Sequence, residues 1–302
     1  MNLEALIHQW QQKLNTLNHS PHTIKAYTQD LFDFKNFFED YNNQQLNLEN
    51  FKSLKSQDIR AWLLFRRKKG INTRSSARGL AGLKNFSEFL LEQNILNDHA
   101  FFHVRSPKLQ KTLPRPISID QALLITDTIH NMSHSPWVGL RNQALIQLLY
   151  FTGIRISEAL SLNQKSLSNT QFITVIGKRS KVRQVPIDSS TKEKILLYLK
   201  EQPFLSHPES PIFFGEKGKR LQAAVVQKIL RDFRRSTGMP ESLTPHALRH
   251  SCATHLMQSS HDLRGIQELL GHSSLSSTQI YTQIDEMSMM NTYKSAHPRA
   301  KK

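Results

Sequence analysis

The stretch Thr244-Pro-His246-Ala-Leu-Arg249-His250, followed by Asp262-Leu-Arg264-Gly-Ile-Gln-Glu-Leu-Leu270-Gly-His272 and Thr278-Gln-Ile-Tyr281, decides how the chain reads. His246 and Arg249 are three apart, so they share one face of a helix that Thr244-Pro245 would open. Gly271 stops the apolar run Leu263, Ile266, Leu269, Leu270 as a C-cap would, which puts His272 just past a helix end. Tyr281 lies in a second short helical pattern. From His246 to Tyr281 is 36 residues. Few chemistries use this set together: arginine holds a phosphate, histidine handles protons, and a phenol can attack phosphorus.

The 302-residue chain is long enough for two domains with a core each. Its formal charge of +16 favours a polyanionic partner, nucleic acid or an anionic membrane surface, over a basic chain that merely stays soluble. Cys252 is the one cysteine, so no intramolecular disulfide and no cysteine metal cluster can form. Met1 to Trp10 carries Glu4, His8 and Gln9 where a signal peptide has its apolar core. Apolar runs such as Leu148-Leu149-Tyr150-Phe151 are far short of a membrane span. The expectation is a soluble, cytoplasmic protein with no membrane insertion. No internal repeat points to a solenoid.

In the first third, Ser20-Pro21 opens an amphipathic helix marked by Ile24, Tyr27, Leu31, Phe34 and Phe38. A second helix starts at Ser56 as its cap, carries Ile59, Trp62, Leu63 and Phe65, and closes on Arg66-Arg67-Lys68-Lys69-Gly70. A third starts near Ser75 or Ser76 and carries Leu80, Leu83, Phe86 and Leu90. No strand-like alternation competes, so residues 1–105 read as a small helical domain. Arg66, Arg67 and Lys68 read equally as a solvated helix end or, with Arg74 and Arg78 beside Thr73, Ser75 and Ser76, as a phosphate-contacting patch. Residues 106–116 hold three prolines, Lys108 and Lys111 and no apolar period. They read as an extended connector, an ordinary linker or one lying along DNA.

Beyond it, Ser118 to Gln121 resembles a capping box, and Arg141 to Phe151 is a helix with Ala144, Leu145, Leu148 and Leu149 as its core face. Gly153 breaks that helix and a new one follows, with Arg155 at its start. A cation there opposes the helix dipole and needs an offset, and Glu158 is the natural partner three residues on. The pair is either an ordinary surface contact or a phosphate clamp oriented by a carboxylate. Phe172 to Ile187 is β-branched and breaks at Gly177, a β-hairpin with Lys178 on its turn and Arg179 and Lys181 projecting outward. Leu196 to Leu199 marks a further helix. Val225, Ile229 and Phe233 give another helix its apolar face, and Arg231, Arg234 and Arg235 its cationic one, solvated or laid on a phosphate backbone. His250 reads as structural, His255 as lying on the helix surface, and Cys252 as core packing.

Thr152-Gly-Ile-Arg155-Ile-Ser-Glu158, Gly177-Lys178, His246-Ala-Leu-Arg249-His250, Leu270-Gly-His272 and Thr278-Gln-Ile-Tyr281 resemble, in order and spacing, the motifs of the tyrosine recombinases, the lambda-integrase family. Any one would be weak; five in order are specific and span nearly the whole chain. Within the family, Asp262 to His272 and the tail Ala296-His-Pro-Arg-Ala300 are most similar to the chromosomal Xer recombinases. The resemblance implies a mainly α protein: a helical core-binding domain (1–105), a basic linker (106–116), and a mostly helical catalytic domain with a small antiparallel sheet (117–302).

It also implies a chemistry. Arg155 and Arg249 would hold the scissile phosphate, and Tyr281 would attack phosphorus to form a 3′-phosphotyrosyl link. His246 would accept the proton, His272 would donate a hydrogen bond to the phosphate, and Lys178 would protonate the leaving 5′ oxygen, with Glu158 orienting Arg155 or a histidine. One phosphodiester replaces another, so the resemblance implies no ATP, metal or other cofactor. The partners implied are double-stranded DNA with a dif-like site, a second Xer recombinase of the XerD type in a tetrameric synapse, and a septal DNA translocase of the FtsK type. In this family a C-terminal segment docks on a neighbouring protomer, and Met289, Met290 and Tyr293 could do so here or pack on their own domain. Gln283 stands where close relatives often have His, which leaves the chemistry intact. Alternatives are an integrase of a phage or mobile element, expected to carry an added N-terminal arm-binding domain, a type IB topoisomerase, and a DNA-binding protein of the same fold without catalysis. The complete set of six reactive residues argues against the last.

Overall fold

A computed structural model describes residues 2–98, 100–108, 116–167, 171–177 and 182–259. The chain divides into two compact units, Met1–Thr112 and Leu113–Lys302. The fold is mostly helical, with a two-stranded antiparallel sheet among the described residues.

The first unit is built of α1 (Leu3–Thr16), α2 (Pro21–Asn42), α3 (Leu48–Lys52), α4 (Ser56–Lys68) and α5 (Thr73–Glu92). Ser20 caps α2, accepting from the Thr23 N–H, and Pro21 takes the first helical position, where its missing N–H is no loss. Two expected starts move by a few residues: Lys55 is the N-cap of α4, and Asn72 caps α5 by accepting from the Ser75 N–H. Trp10, Phe34, Trp62, Phe86 and Phe101 fill the core, with ring pairs edge-on at 5.2 to 5.5 Å. Gly79 lets α5 close on α4: a Cβ there would lie 2.9 Å from Trp62 and 3.3 Å from the Arg66 guanidinium.

Arg66 corrects an expectation. It is 3% exposed, and its Nη1 bonds Asp30 at 3.2 Å and Asp33 at 2.7 Å. Nη2 bonds Asp30 and the Ser75 carbonyl, so this guanidinium is an interior cross-link of α2, α4 and α5 and not a DNA contact. Along its length α4 faces the core at Ile59, Trp62 and Arg66. Arg67 and Lys68, next in the same run, are exposed. Arg78 is half-exposed and forks onto the same Asp30 at 2.8 and 3.1 Å.

The second unit centres on α7 (Pro136–Thr152). One apolar face was expected; instead the helix is buried on nearly every side, against α6 (Ile119–Thr128), α9 (Ser189–Glu201) and α11 (Pro245–Ser259). Arg141 is interior too, donating to the Phe214 carbonyl and to Asn142. Ser118 and Gln121 form the expected capping box on α6. A short helix, α8 (Ile156–Ser161), leads to β1 (Phe172–Ile176) and β2 (Val182–Pro186), which pair with Val175 opposite Arg183. In α10 (Ala223–Thr237) Phe233 is buried and Ile229 partly buried, as expected, but Val226 and Leu230 complete the buried stripe and Val225 is exposed. Arg234 consequently turns inward, donating to the Leu243 carbonyl at 2.8 Å and pairing with Glu241 at 3.1 Å, which corrects its reading as a phosphate contact. Arg231 and Arg235 are exposed. No helix of the described residues is long and apolar enough to cross a membrane.

Removing one partner of a buried ion pair leaves an uncompensated charge. The Asp30→Ala variant is therefore expected to lose about 3 kcal/mol in denaturant unfolding. A loss below about 1 kcal/mol would mean that Asp33 alone satisfies Arg66.

Candidate active site

The site begins where α7 stops. Gly153 caps it at φ 62°, a left-handed conformation that glycine adopts without strain. The chain turns through buried Ile154 and re-enters helix with Arg155 as the N-cap of α8. Glu158 reaches back one turn: Oε2 accepts from the Arg155 N–H at 2.7 Å, and Oε1 from Arg155 Nη1 at 2.9 Å. This is the offset that a cation at a helix start requires.

A third group was not foreseen. Arg183 of β2 donates Nη1 to Glu158 Oε1 and Nη2 to Oε2, both at 2.9 Å. A fork-to-fork pair of this kind is the strongest geometry open to arginine and carboxylate. A signal was present in the sequence. Strand alternation puts Arg183 on the same face as Val185, which is core, so a lone arginine there needed an acidic partner. The basic residues of the adjacent turn drew the reading outward instead.

Arg249 completes the cluster. Thr244 opens α11 as expected, its hydroxyl accepting from the Ala247 N–H at 3.1 Å. Arg249, one turn in, is 7% exposed and donates Nη1 to the Gly153 carbonyl, the residue that ends α7. The two arginine motifs, 94 positions apart in the sequence, thus meet at one helix break. Burial first, and then the neighbouring Arg155 and Arg183 cations, lower the Arg249 guanidinium to about 10, against the opposing pull of Glu158. It stays charged at neutral pH. Burial alone would push Glu158 up, but the bonds from Arg183 and from the Arg155 backbone and side chain outweigh it and hold the carboxyl at about 2. Among the described residues, Arg155 and Arg183 bond the Glu158 carboxylate directly and Arg249 lies within its field.

His246 lies exposed in the first turn of α11, and His250 is half-buried. Cys252 is core, as expected, with burial pushing its thiol up to about 12. His255 is not on the surface: it is 5% exposed, its Nδ1 lies 3.0 Å from the buried Tyr150 hydroxyl, and burial lowers its pKa. Arg74, Arg78 and Lys108 are exposed. Lys178, His272 and Tyr281, together with Lys111, Arg179, Lys181 and the expected tail contacts, lie outside the described residues.

A model described as the phage integrase family matches residues 117–287, and one described as the phage integrase N-terminal SAM-like domain matches residues 7–94. Over 299 residues the chain is 42% identical to the tyrosine recombinase XerC of Rickettsia prowazekii (strain Madrid E), covering 99% of this chain and 98% of that one. The chain belongs to the Xer-type tyrosine recombinases of the phage integrase family. The recombinase accordingly cleaves and rejoins DNA site-specifically. Its fold is also that of XerH bound to a palindromic difH substrate in a post-cleavage complex (TM-score 0.69, 24% identity, 91% of this chain and 80% of that one). A lambda integrase tetramer bound to a Holliday junction is equally similar in fold (TM-score 0.69, 16% identity, 94% and 80%).

Because Glu158 titrates below its ordinary value near 4.5, its contribution is complete above that value and is lost as pH falls toward 2. The amount is on the order of 3 kcal/mol. Urea melts are expected to show the recombinase losing stability over this window more steeply than Glu158→Gln, whose side chain has no proton to gain. Equal slopes would remove Glu158 from the account of acid unfolding.

Proposed function

We propose that this recombinase is the XerC-type member of a cytoplasmic pair, resolving chromosome dimers at a dif-like site. It would act in a tetrameric synapse with an XerD-type partner, switched on by a septal DNA translocase of the FtsK type. The identity to XerC over nearly the full length of both chains supports this role above that of a phage or mobile-element integrase.

In the reaction, Arg155 and Arg249 hold the two non-bridging oxygens of the scissile phosphate and stabilise the charge that builds there. Tyr281 attacks phosphorus, giving its phenolic proton to His246. The bond to the 5′ oxygen breaks and a 3′-phosphotyrosyl link forms. Lys178 protonates the leaving 5′ oxygen, and His272 donates a hydrogen bond to the phosphate. The 5′-hydroxyl of the partner duplex then attacks the phosphotyrosine and frees Tyr281. Each step exchanges one phosphoester for another, so neither ATP nor a metal is required. Arg67, Lys68, Arg74 and Arg78, the connector residues Lys108 and Lys111, and Arg179, Lys181, Arg231 and Arg235 follow the phosphate backbone.

The observation that carries this reading is the meeting of the two arginine motifs at Gly153: Arg249 bonds the Gly153 carbonyl, two residues from Arg155, whose side chain is 40% exposed and is oriented by Glu158. Two guanidiniums brought to one helix break suit the two non-bridging oxygens of a phosphodiester.

Incubation with a nicked suicide duplex carrying the dif-like sequence of its own genome, with and without the partner recombinase, tests the reading. A covalent adduct on a denaturing gel is expected, absent in Tyr281→Phe and slowed at least about 10²-fold in Arg249→Ala. An adduct that persists in Tyr281→Phe would exclude Tyr281 as the nucleophile.

A further inference from the structure

Arg183 has no part in the chemistry above, yet its contacts are unusual for a strand residue. It is 9% exposed and sits on the inward face of β2 with Val185. Both terminal nitrogens go to Glu158, and its Nε has no hydrogen-bond partner among the described residues. Within those residues its guanidinium is directed at Glu158 alone.

Glu158 in turn has four donors. Oε1 takes Arg155 Nη1 and Arg183 Nη1, and Oε2 takes the Arg155 N–H and Arg183 Nη2. Two bonds set the Arg155 backbone and side chain, and the other two fix the carboxylate that sets them. Glu158 is 4% exposed while the Arg155 side chain is 40% exposed. The buried half of the network therefore holds its open end. Without Arg183, Glu158 could swing about its side-chain torsions within a single turn of α8, and Arg155 would follow.

We propose that Arg183 is a positioning residue of the recombinase: by clamping Glu158 from β2 it fixes the Arg155 guanidinium in the place where the scissile phosphate arrives. This rests on the reading of Arg155 as a phosphate ligand. It also ties β2, the strand that follows Lys178 in the sequence, to the phosphate clamp, since β2 carries Arg183 one residue from its first position. The charged groups acting on Glu158 among the described residues are Arg155 on its own helix, Arg183 from β2 and Arg249 from α11. Arg249 is held separately by the Gly153 carbonyl, so loss of Arg183 disturbs one arm of the clamp and leaves the other.

The test compares two suicide duplexes, one with a normal scissile phosphate and one in which a methyl group replaces a non-bridging oxygen. The methylphosphonate is uncharged and has one fewer oxygen to hold, so it relieves a defect in one arm of a two-arginine clamp. On the normal duplex, Arg183→Met is expected to slow adduct formation about 10²-fold, the scale of a small misplacement of a reacting group. Arg183→Lys, which keeps the charge but not the fork, is expected to fall between. On the methylphosphonate the Arg183→Met defect is expected to shrink at least about tenfold, as it does for Arg155→Ala. Equal defects of Arg183→Met on both duplexes, with Arg155→Ala relieved, would overturn the positioning role and leave Arg155 as a ligand. Absence of relief in Arg155→Ala would overturn the ligand reading and the inference with it. Thermal melts accompany each variant. Should Arg183→Met be unfolded at the assay temperature, the Arg183→Lys comparison carries the same decision.

Discussion

A buried carboxylate shared by two arginines is the constraint on which the catalytic unit depends. Glu158 answers the helix start at Arg155, the inward arginine of β2 and part of the field at Arg249. A carboxylate with all its lone pairs engaged has little freedom, and in a site shielded from water each of those bonds is stronger than it would be at a surface. In the proposed reaction the phosphodiester is the anion that these guanidiniums meet.

The architecture that presents this charge is economical in elements. Gly153 ends α7 in a left-handed turn, which lets its carbonyl face the incoming Arg249 and lets Arg155 start a new helix beside it. α7 is buried nearly all round, so the turn at its end is set by the whole core and not by its own loop. The Tyr150–His255 contact packs α11 against the same helix two turns beyond Arg249 and braces it there. Burial lowers the pKa of this histidine, which disfavours a further cation behind the cluster.

Much of this was legible in the sequence, for identifiable reasons. Helix starts at Ser20-Pro21, Ser118 and Thr244 declared themselves through local hydrogen bonding, and the break at Gly153 through its conformational freedom. What escaped were the long-range pairings. Arg66 sits in a basic run that looks solvated, and only the approach of α2 with Asp30 and Asp33 makes it an interior residue. Arg183 was hidden beside the basic turn, because its partner lies 25 residues away and on a helix. In α10 Phe233 was read correctly, but Val226 and not Val225 is buried, because the two are equally apolar and tertiary packing alone chose between them. His255 looked like a surface residue for want of a visible partner, which Tyr150 supplies from across the core.

The central claim is that Arg155 and Arg249, held from behind by Glu158, Arg183 and the Gly153 carbonyl, form a prebuilt seat for the scissile phosphate. A crystal structure of the recombinase on a dif-like duplex, with vanadate in place of that phosphate, tests it most directly. The account predicts that equatorial vanadate oxygens lie within hydrogen-bond distance of Arg155 and Arg249 while Arg183 keeps both bonds to Glu158. Vanadate seated away from both arginines, with their guanidiniums bonded to protein alone, would contradict it.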